Sequence, residues 1–133
     1  MPRLHVLAVS AKLPAWAEQA CLDYVRRMPR GYEVERVALK DETRVAVPKG
    51  ARLIALDERG RDVTTPQFAA LLARPSAFVI GGADGLSASL KGRADMLLRL
   101  SSLTLPHALA QVVLLEQLYR AATLRLGHPY HRR

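Results

Sequence analysis

The sequence is poor in the residues that mark several protein classes. Among its 133 residues there is one cysteine, Cys21. It cannot close an intrachain disulfide and has no second thiol for a CxxC redox pair or a zinc knuckle, so a reducing, cytoplasmic setting is expected. Two Phe, one Trp and four Tyr poorly supply the base-stacking face of an RRM or OB module. No apolar run approaches the ~20 residues of a membrane span, and Met1 to Ser10 lacks the charged, apolar and small-residue order of a signal peptide. Neither membrane insertion nor secretion is expected. Internal repeats, low-complexity stretches and linkers are also missing. The positive charge forms no block of the kind a DNA-binding tail carries, so no DNA partner is expected.

What is present describes one packed domain spanning 1–133. Half the residues are hydrophobic and 24% are charged, a globular composition. Lys and Arg outnumber Asp and Glu by 20 to 12, leaving a net charge of +8. So basic a small protein suits an anionic partner, most commonly a nucleic acid. On charge alone, a soluble protein that merely happens to be basic fits equally well.

Strand and helix patterns alternate along the chain. Leu4 to Val9 is an apolar run broken only by His5, as in a parallel strand covered on both faces. Pro14 can open a helix at its first position, with Ala17, Ala20, Cys21, Tyr24 and Met28 at helical spacing, and Pro29 with Gly31 ends it. Tyr32 to Leu39 alternates as a half-exposed strand nearer an edge, and Lys40 to Gly50 reads as a loop with at most a turn of helix. Leu53 to Leu56 is a short strand running into Asp57, Glu58, Arg59 and Gly60. Thr65 and Pro66 make a cap and first-turn pair for a helix through Ala73. Ala77 to Ile80 is a strand ending at Gly81–Gly85, a short helix follows from Ser87 to about Ala94, and Met96 to Leu103 supplies a fifth strand. Pro106 opens the last helix, through about Leu126, with Gly127 as its stop. Val112 to Leu115 is apolar in every direction, so that helix is expected to be covered on two sides, by the sheet and by a second copy of the chain. The fold class is therefore α/β: an open, mostly parallel sheet of about five strands with helices on both faces.

Open parallel sheets bind ligands beyond the carboxyl ends of their strands. That directs attention to Asp57–Gly60, Gly81–Gly85 and Leu103–His107. The glycine loop matches neither GxGxxG nor GxxxxGK[ST], and its spacing alone favours a tight strand-to-helix turn. In Leu100–Leu105, Ser101, Ser102 and Thr104 interleave with leucines. Such a loop can offer peptide groups and an apolar wall to a flat heterocycle, or be an ordinary strand end with a helix cap. The last seven residues, 127–133, hold His128, Tyr130, His131, Arg132 and Arg133, suited to acid-base work and to gripping phosphate. The plain alternative is nonspecific RNA affinity. His128 and His131 have no cysteine or carboxylate beside them, so no metal site is expected. Glu116 and Arg120 stand at the favourable i, i+4 spacing for a helical pair, a structural device rather than a catalytic one.

IGGADG at Ile80–Gly85, LTLPH at Leu103–His107, EQLYRA at Glu116–Ala121 and the terminal HPYHR at His128–Arg132 occur together in this order. With AVSAKLPAW and YVRRMP near the start, the chain resembles the small SPOUT-class family that methylates N3 of a pseudouridine in large-subunit (23S) ribosomal RNA. The likeness runs through nearly the whole chain, and HPYHR with LTLPH is its most specific part. It implies a C-terminal trefoil knot, against the general rule that chains do not thread loops, and a homodimer whose site is composed from two subunits. It also implies S-adenosyl-L-methionine as cofactor and rRNA in the ribosome as partner. Cofactor contacts would be Leu56, Gly81, Leu100, Ser101, Ser102, Leu103, Thr104 and Leu105. Catalytic and RNA-gripping groups would lie among His128, Tyr130, His131 and Arg132, in a catalytic tail at 127–133 that covers the partner's cofactor.

Two departures from the family pattern stand out. A lysine-rich segment and helix usually lie between the second and third strands, whereas here only Lys40–Arg52 joins them, so the sheet should lack a crossover helix on one face. The glycine loop reads GGADG where GGPEG is usual. Two rival readings remain: a noncatalytic ribosome-binding factor with the same knotted fold, and a small nucleotide-binding enzyme of flavodoxin-like topology.

Overall fold

The computed structural model describes residues 3–131. Five strands are joined by helices: β1 (Leu4–Val9), α1 (Ala15–Arg27), β2 (Val34–Leu39), β3 (Arg52–Asp62), α2 (Thr65–Leu71), β4 (Ser76–Gly81), α3 (Ala88–Arg93), β5 (Met96–Arg99) and α4 (His107–Arg125). Single 3-10 turns lie at Glu42–Arg44 and Pro129–His131. All four strand pairings are parallel, in the order β2-β1-β4-β3-β5. No helix among the described residues is long and apolar enough to cross a membrane.

The two inner strands explain themselves by composition. Every residue of β1 is buried, as are five of the six in β4, because a parallel sheet is covered on both faces. One face packs Val6, Ala8, Ile54 and Phe78 against Cys21 of α1, Phe68 of α2 and Leu114, Leu115 and Leu118 of α4. Each fully buried leucine there is worth ~1.5–3 kcal/mol relative to exposure. The opposite face packs Leu7, Val9, Leu53, Ala55 and Val79 against Leu90 of α3. There the connection after β2 takes the place of a crossover helix, burying Val45 and laying Val47 on the same cluster.

Several local expectations need correcting. Pro14 is the N-cap of α1, not its first helical residue. The cap of α2 is Thr64, whose hydroxyl accepts from Gln67 N at 3.3 Å while Gln67 Oε1 accepts from Thr64 N at 2.8 Å. That reciprocal capping box satisfies two helix-end donors, which a cap at Thr65 could not do with this sequence. β5 stops at Arg99 instead of reaching Leu103. Asp57–Gly60 is no terminal loop: β3 continues through it to Asp62. Leu56 and Arg61 both register on Leu98, so residues 57–60 form a bulge between two stretches of pairing. Gly60 permits this, since a Cβ there would lie 2.7 Å from the Leu98 backbone.

Candidate functional site

The bulge of β3 and the carboxyl ends of β4 and β5 open into one cavity of about 540 Å³, within the usual range for small-molecule sites. Leu56, Asp57 and Glu58 line it from β3, and the turn after β4 from Gly81 to Leu86 forms a wall. Leu98–Ser101, Leu103–His107 and Ala110 close it from β5, the following loop and the start of α4. Of the eight residues expected at a cofactor, Leu56, Gly81, Leu100, Ser101, Leu103, Thr104 and Leu105 line this space, and Ser102 does not. Residues 101–105 lie outside helix and strand, so their peptide groups are not committed to a ladder. Ser101 Oγ accepts from Leu103 N at 2.9 Å, shaping the turn. Leu103 is 75% exposed at this opening, an apolar side chain with no cover of its own.

The glycine loop is more than a tight turn. A Cβ on Gly81 would come within 2.7 Å of the Gly85 backbone, and one on Gly82 within 2.2 Å of the Ser10 carbonyl oxygen. The wall of the cavity is therefore folded onto itself and onto the end of β1 at backbone contact. Ser10 itself holds φ at 52°, an uncommon conformation for a residue with a side chain. It is secured by its N–H to Leu39 O and by its hydroxyl to Lys40 O, both at 2.9 Å.

Lys91, Asp57 and Arg99 of the cavity lining are paired across elements. Lys91 Nζ lies 3.3 Å from Asp57 Oδ1. Arg99 donates twice to Asp62 at 2.6 Å, which holds the Asp62 carboxyl below its ordinary value. Sequence reasoning omitted Lys91 and Arg99 from the pocket, and reached His107 only as the end of the Leu103–His107 loop, without a cofactor role. The short helix α3 gives no sign in its sequence of which strand it faces, whereas His107 stood in view beside the LTLP segment.

The tail takes a different place. Tyr130 donates its hydroxyl to Glu116 Oε2 at 3.1 Å, and Glu116 also receives the Arg120 guanidinium at 2.8 Å. The Arg120 Cζ sits 5.0 Å above the Tyr130 ring, and Tyr119 meets that ring edge-on at 4.6 Å. Burial, with hydrogen bonding to Tyr24 and the Glu116 charge, pushes the Tyr130 hydroxyl well above its ordinary value. His128 anchors its N–H on Thr123 O at 2.8 Å. Arg132 lies outside the described residues, as does the side chain of His131. Neither His128 nor Tyr130 lines the cavity, so these two stand apart from the residues expected at the cofactor.

A family model described as predicted SPOUT methyltransferase matches residues 2–131. The ribosomal RNA large subunit methyltransferase H of Paraburkholderia xenovorans is 48% identical over 154 aligned positions, covering 98% of this chain and 99% of that protein. The protein of the same name from Burkholderia vietnamiensis is 47% identical with the same coverage. These alignments are longer than the 133 residues of this chain, so the relatives carry residues it lacks. Among solved structures, a probable methylase family protein from Haemophilus influenzae superposes with TM-score 0.68 at 12% identity, over 95% of this chain and 69% of that one. The SpoU methyltransferase AviRb from Streptomyces viridochromogenes, solved with AdoMet, does so with TM-score 0.61 at 17% identity, over 93% of this chain and 58% of that one. At such identities the structural likeness speaks to the fold.

Proposed function

Because the chain belongs to the SPOUT methyltransferase family, we propose that it methylates N3 of a pseudouridine in large-subunit ribosomal RNA, with S-adenosyl-L-methionine as methyl donor. The observation that carries this reading is the cavity at the β3 bulge and the carboxyl ends of β4 and β5. Its volume suits a nucleoside-sized ligand, Leu56, Ile80, Leu98 and Leu100 offer apolar walls, and Asp57, Glu58 and Asp84 offer polar ones. When bound, the cofactor supplies the electrophilic methyl group. The protein's share is to hold both reactants in line, exclude water and accept the proton that N3 must lose.

The proton acceptor belongs to the tail. Tyr130 is a poor candidate, because its hydroxyl is tied to Glu116 and held protonated; it anchors the tail instead. That leaves the imidazoles of His128 and His131, with Arg132 to grip RNA phosphate. Since His128 and Tyr130 stand away from their own chain's cavity, the tail serves the cavity of a second protomer. The working form is a homodimer, with the C-terminal segments threaded as a trefoil knot, acting on ribosomes in the cytoplasm.

The test is transfer of a radiolabelled methyl group to ribosomes from cells that lack the modification. The intact chain should label one pseudouridine, and a chain ending at Gly127 should bind S-adenosyl-L-methionine yet transfer nothing. Cofactor binding without transfer by the intact chain would leave a noncatalytic ribosome-binding factor. Equal activity of the shortened chain would remove the tail from the chemistry.

A further inference from the structure

The connection after β2, residues 40–51, reaches the cavity wall at two places. The first is through Ser10, whose hydroxyl donates to Lys40 O and whose carbonyl oxygen lies against Gly82. The second is direct. Glu42 Oε2 accepts from Ser87 N at 2.7 Å and Glu42 Oε1 from Ser87 Oγ at 2.5 Å, 45 residues away in sequence. Ser87 is the N-cap of α3, its hydroxyl accepting in turn from Leu90 N at 3.1 Å. Asp41 stiffens the start of the connection by accepting from Thr43 N at 2.9 Å, and Val45 buries its side chain on the sheet face.

We infer that Glu42 is a positioning residue for the cofactor cavity, a strut by which the β2–β3 connection holds the Gly81–Leu86 wall in place. Gly81–Leu86 hangs between two ends. The end at β4 is fixed by the backbone contacts of Gly81 and Gly82. The end at Ser87 is fixed by the Glu42 carboxylate, with both oxygens in use. One turn further on, the Lys91–Asp57 pair ties α3 to β3. Both bonds to Ser87 are charge-assisted, hence short and strong for their kind. Without the Glu42 carboxylate the Ser87 end loses its only contact with the connection among the hydrogen bonds of the described residues. The wall can then leave the geometry that a bound ligand needs, a cost that appears as lost affinity.

The strut rests on the proposed function only in the identity of the ligand, and two readouts separate them. In Glu42→Ala, amide hydrogen exchange of the ligand-free protein should speed up at residues 82–90 while β1 and β4 keep their protection. The Kd for S-adenosyl-L-methionine should rise about tenfold, ~1.4 kcal/mol, with kcat at saturating cofactor nearly kept. Glu42→Gln, whose amide oxygen still accepts one bond from Ser87, should recover part of the affinity. In a double-mutant cycle with Ser87→Ala the effects on Kd should be strongly non-additive, since both changes remove one contact. Unchanged exchange at 82–90 would overturn the strut, whatever the ligand. Faster exchange with no binding by the wild-type chain would keep the strut and refute the cofactor.

Discussion

Gly82→Ala is the most exacting test of the backbone contact that shapes the cavity wall. The new Cβ would stand 2.2 Å from the Ser10 carbonyl oxygen, while carbon and its neighbours settle at ~3.5 Å or more. Relief therefore demands a relative movement of about an ångström between two backbone segments, with no side chain available to rotate away. Ser10 is badly placed to yield, being held at φ 52° by its bonds to Leu39 and Lys40. Overpacking of this kind costs ~1–3 kcal/mol, and the upper half of that range is expected because both partners are main chain. For a domain of this size the melting temperature should drop by roughly 5–10 °C. S-adenosyl-L-methionine, which stabilises by ~2.7 kcal/mol at one hundred times its Kd, should lose most of its protective effect, because the displaced segment is the cavity wall. Gly92→Ala is the control: it lies inside α3 with nothing within 4 Å of the new Cβ, so it should gain ~0.4–1 kcal/mol. Calorimetric melting of both variants with and without cofactor reads the comparison. A Gly82→Ala protein as stable as wild type, with its cofactor shift intact, would refute a close contact between the glycine loop and the end of β1.

Tyr130→Phe keeps the ring contacts with Tyr119 and Arg120 and should keep most of kcat with an unchanged pH profile, whereas Tyr130→Ala should lower kcat by tenfold or more; a collapse in the Phe variant would make the hydroxyl a proton carrier after all. Glu18 receives both terminal nitrogens of Arg36 at 2.8 Å, and that hydrogen bonding holds its carboxyl below the ordinary value. Its stabilisation is thus present above the unfolded value and lost as pH falls through the lowered folded one, so urea midpoints of Glu18→Gln and wild type should differ at pH 7 and converge in acid; a pH-independent difference would contradict the pairing. Cys21 is buried, and that burial pushes its thiol up, so iodoacetamide should label it only in denaturant.

Much of the fold could be read in the sequence because most of it rests on local apolar runs. β1 and β4 announce themselves as continuous hydrophobic stretches, and α4 by Val112–Leu115 and the Gly127 stop. Errors gathered where a distant backbone decides. Asp57–Gly60 is polar and ends in glycine, the ordinary signature of a loop, yet the chain resumes pairing because Gly60 passes at contact distance from Leu98. A residue 38 positions downstream sets that strand end, and no local pattern records it. The cap at Thr64 was missed for a smaller reason: two threonines adjoin, and only the glutamine three residues beyond the first one decides between them.

The candidate site divides along the same line. Leu100–Leu105 and the glycine loop were recognisable because strand ends and irregular composition coincide there. The absence of Ser102 from the lining could not be foreseen, since a turn chooses by rotation which of two neighbouring serines faces inward. The Glu116–Arg120 pair was evident from its i, i+4 spacing, and the tail from its density of titratable groups. Their union was not. Tyr130 reaches back fourteen residues to the Glu116 carboxylate, so a pair that looked purely structural becomes the dock of the segment proposed to do the chemistry. An ion pair already balanced by Arg120 can accept the neutral phenol without burying a further charge, and the ring gains the guanidinium above it. A carboxylate left without Arg120 would instead draw water or a cation into the same place. Arg120 is therefore the residue whose loss should release the tail, even though among the described residues it makes no hydrogen bond to it.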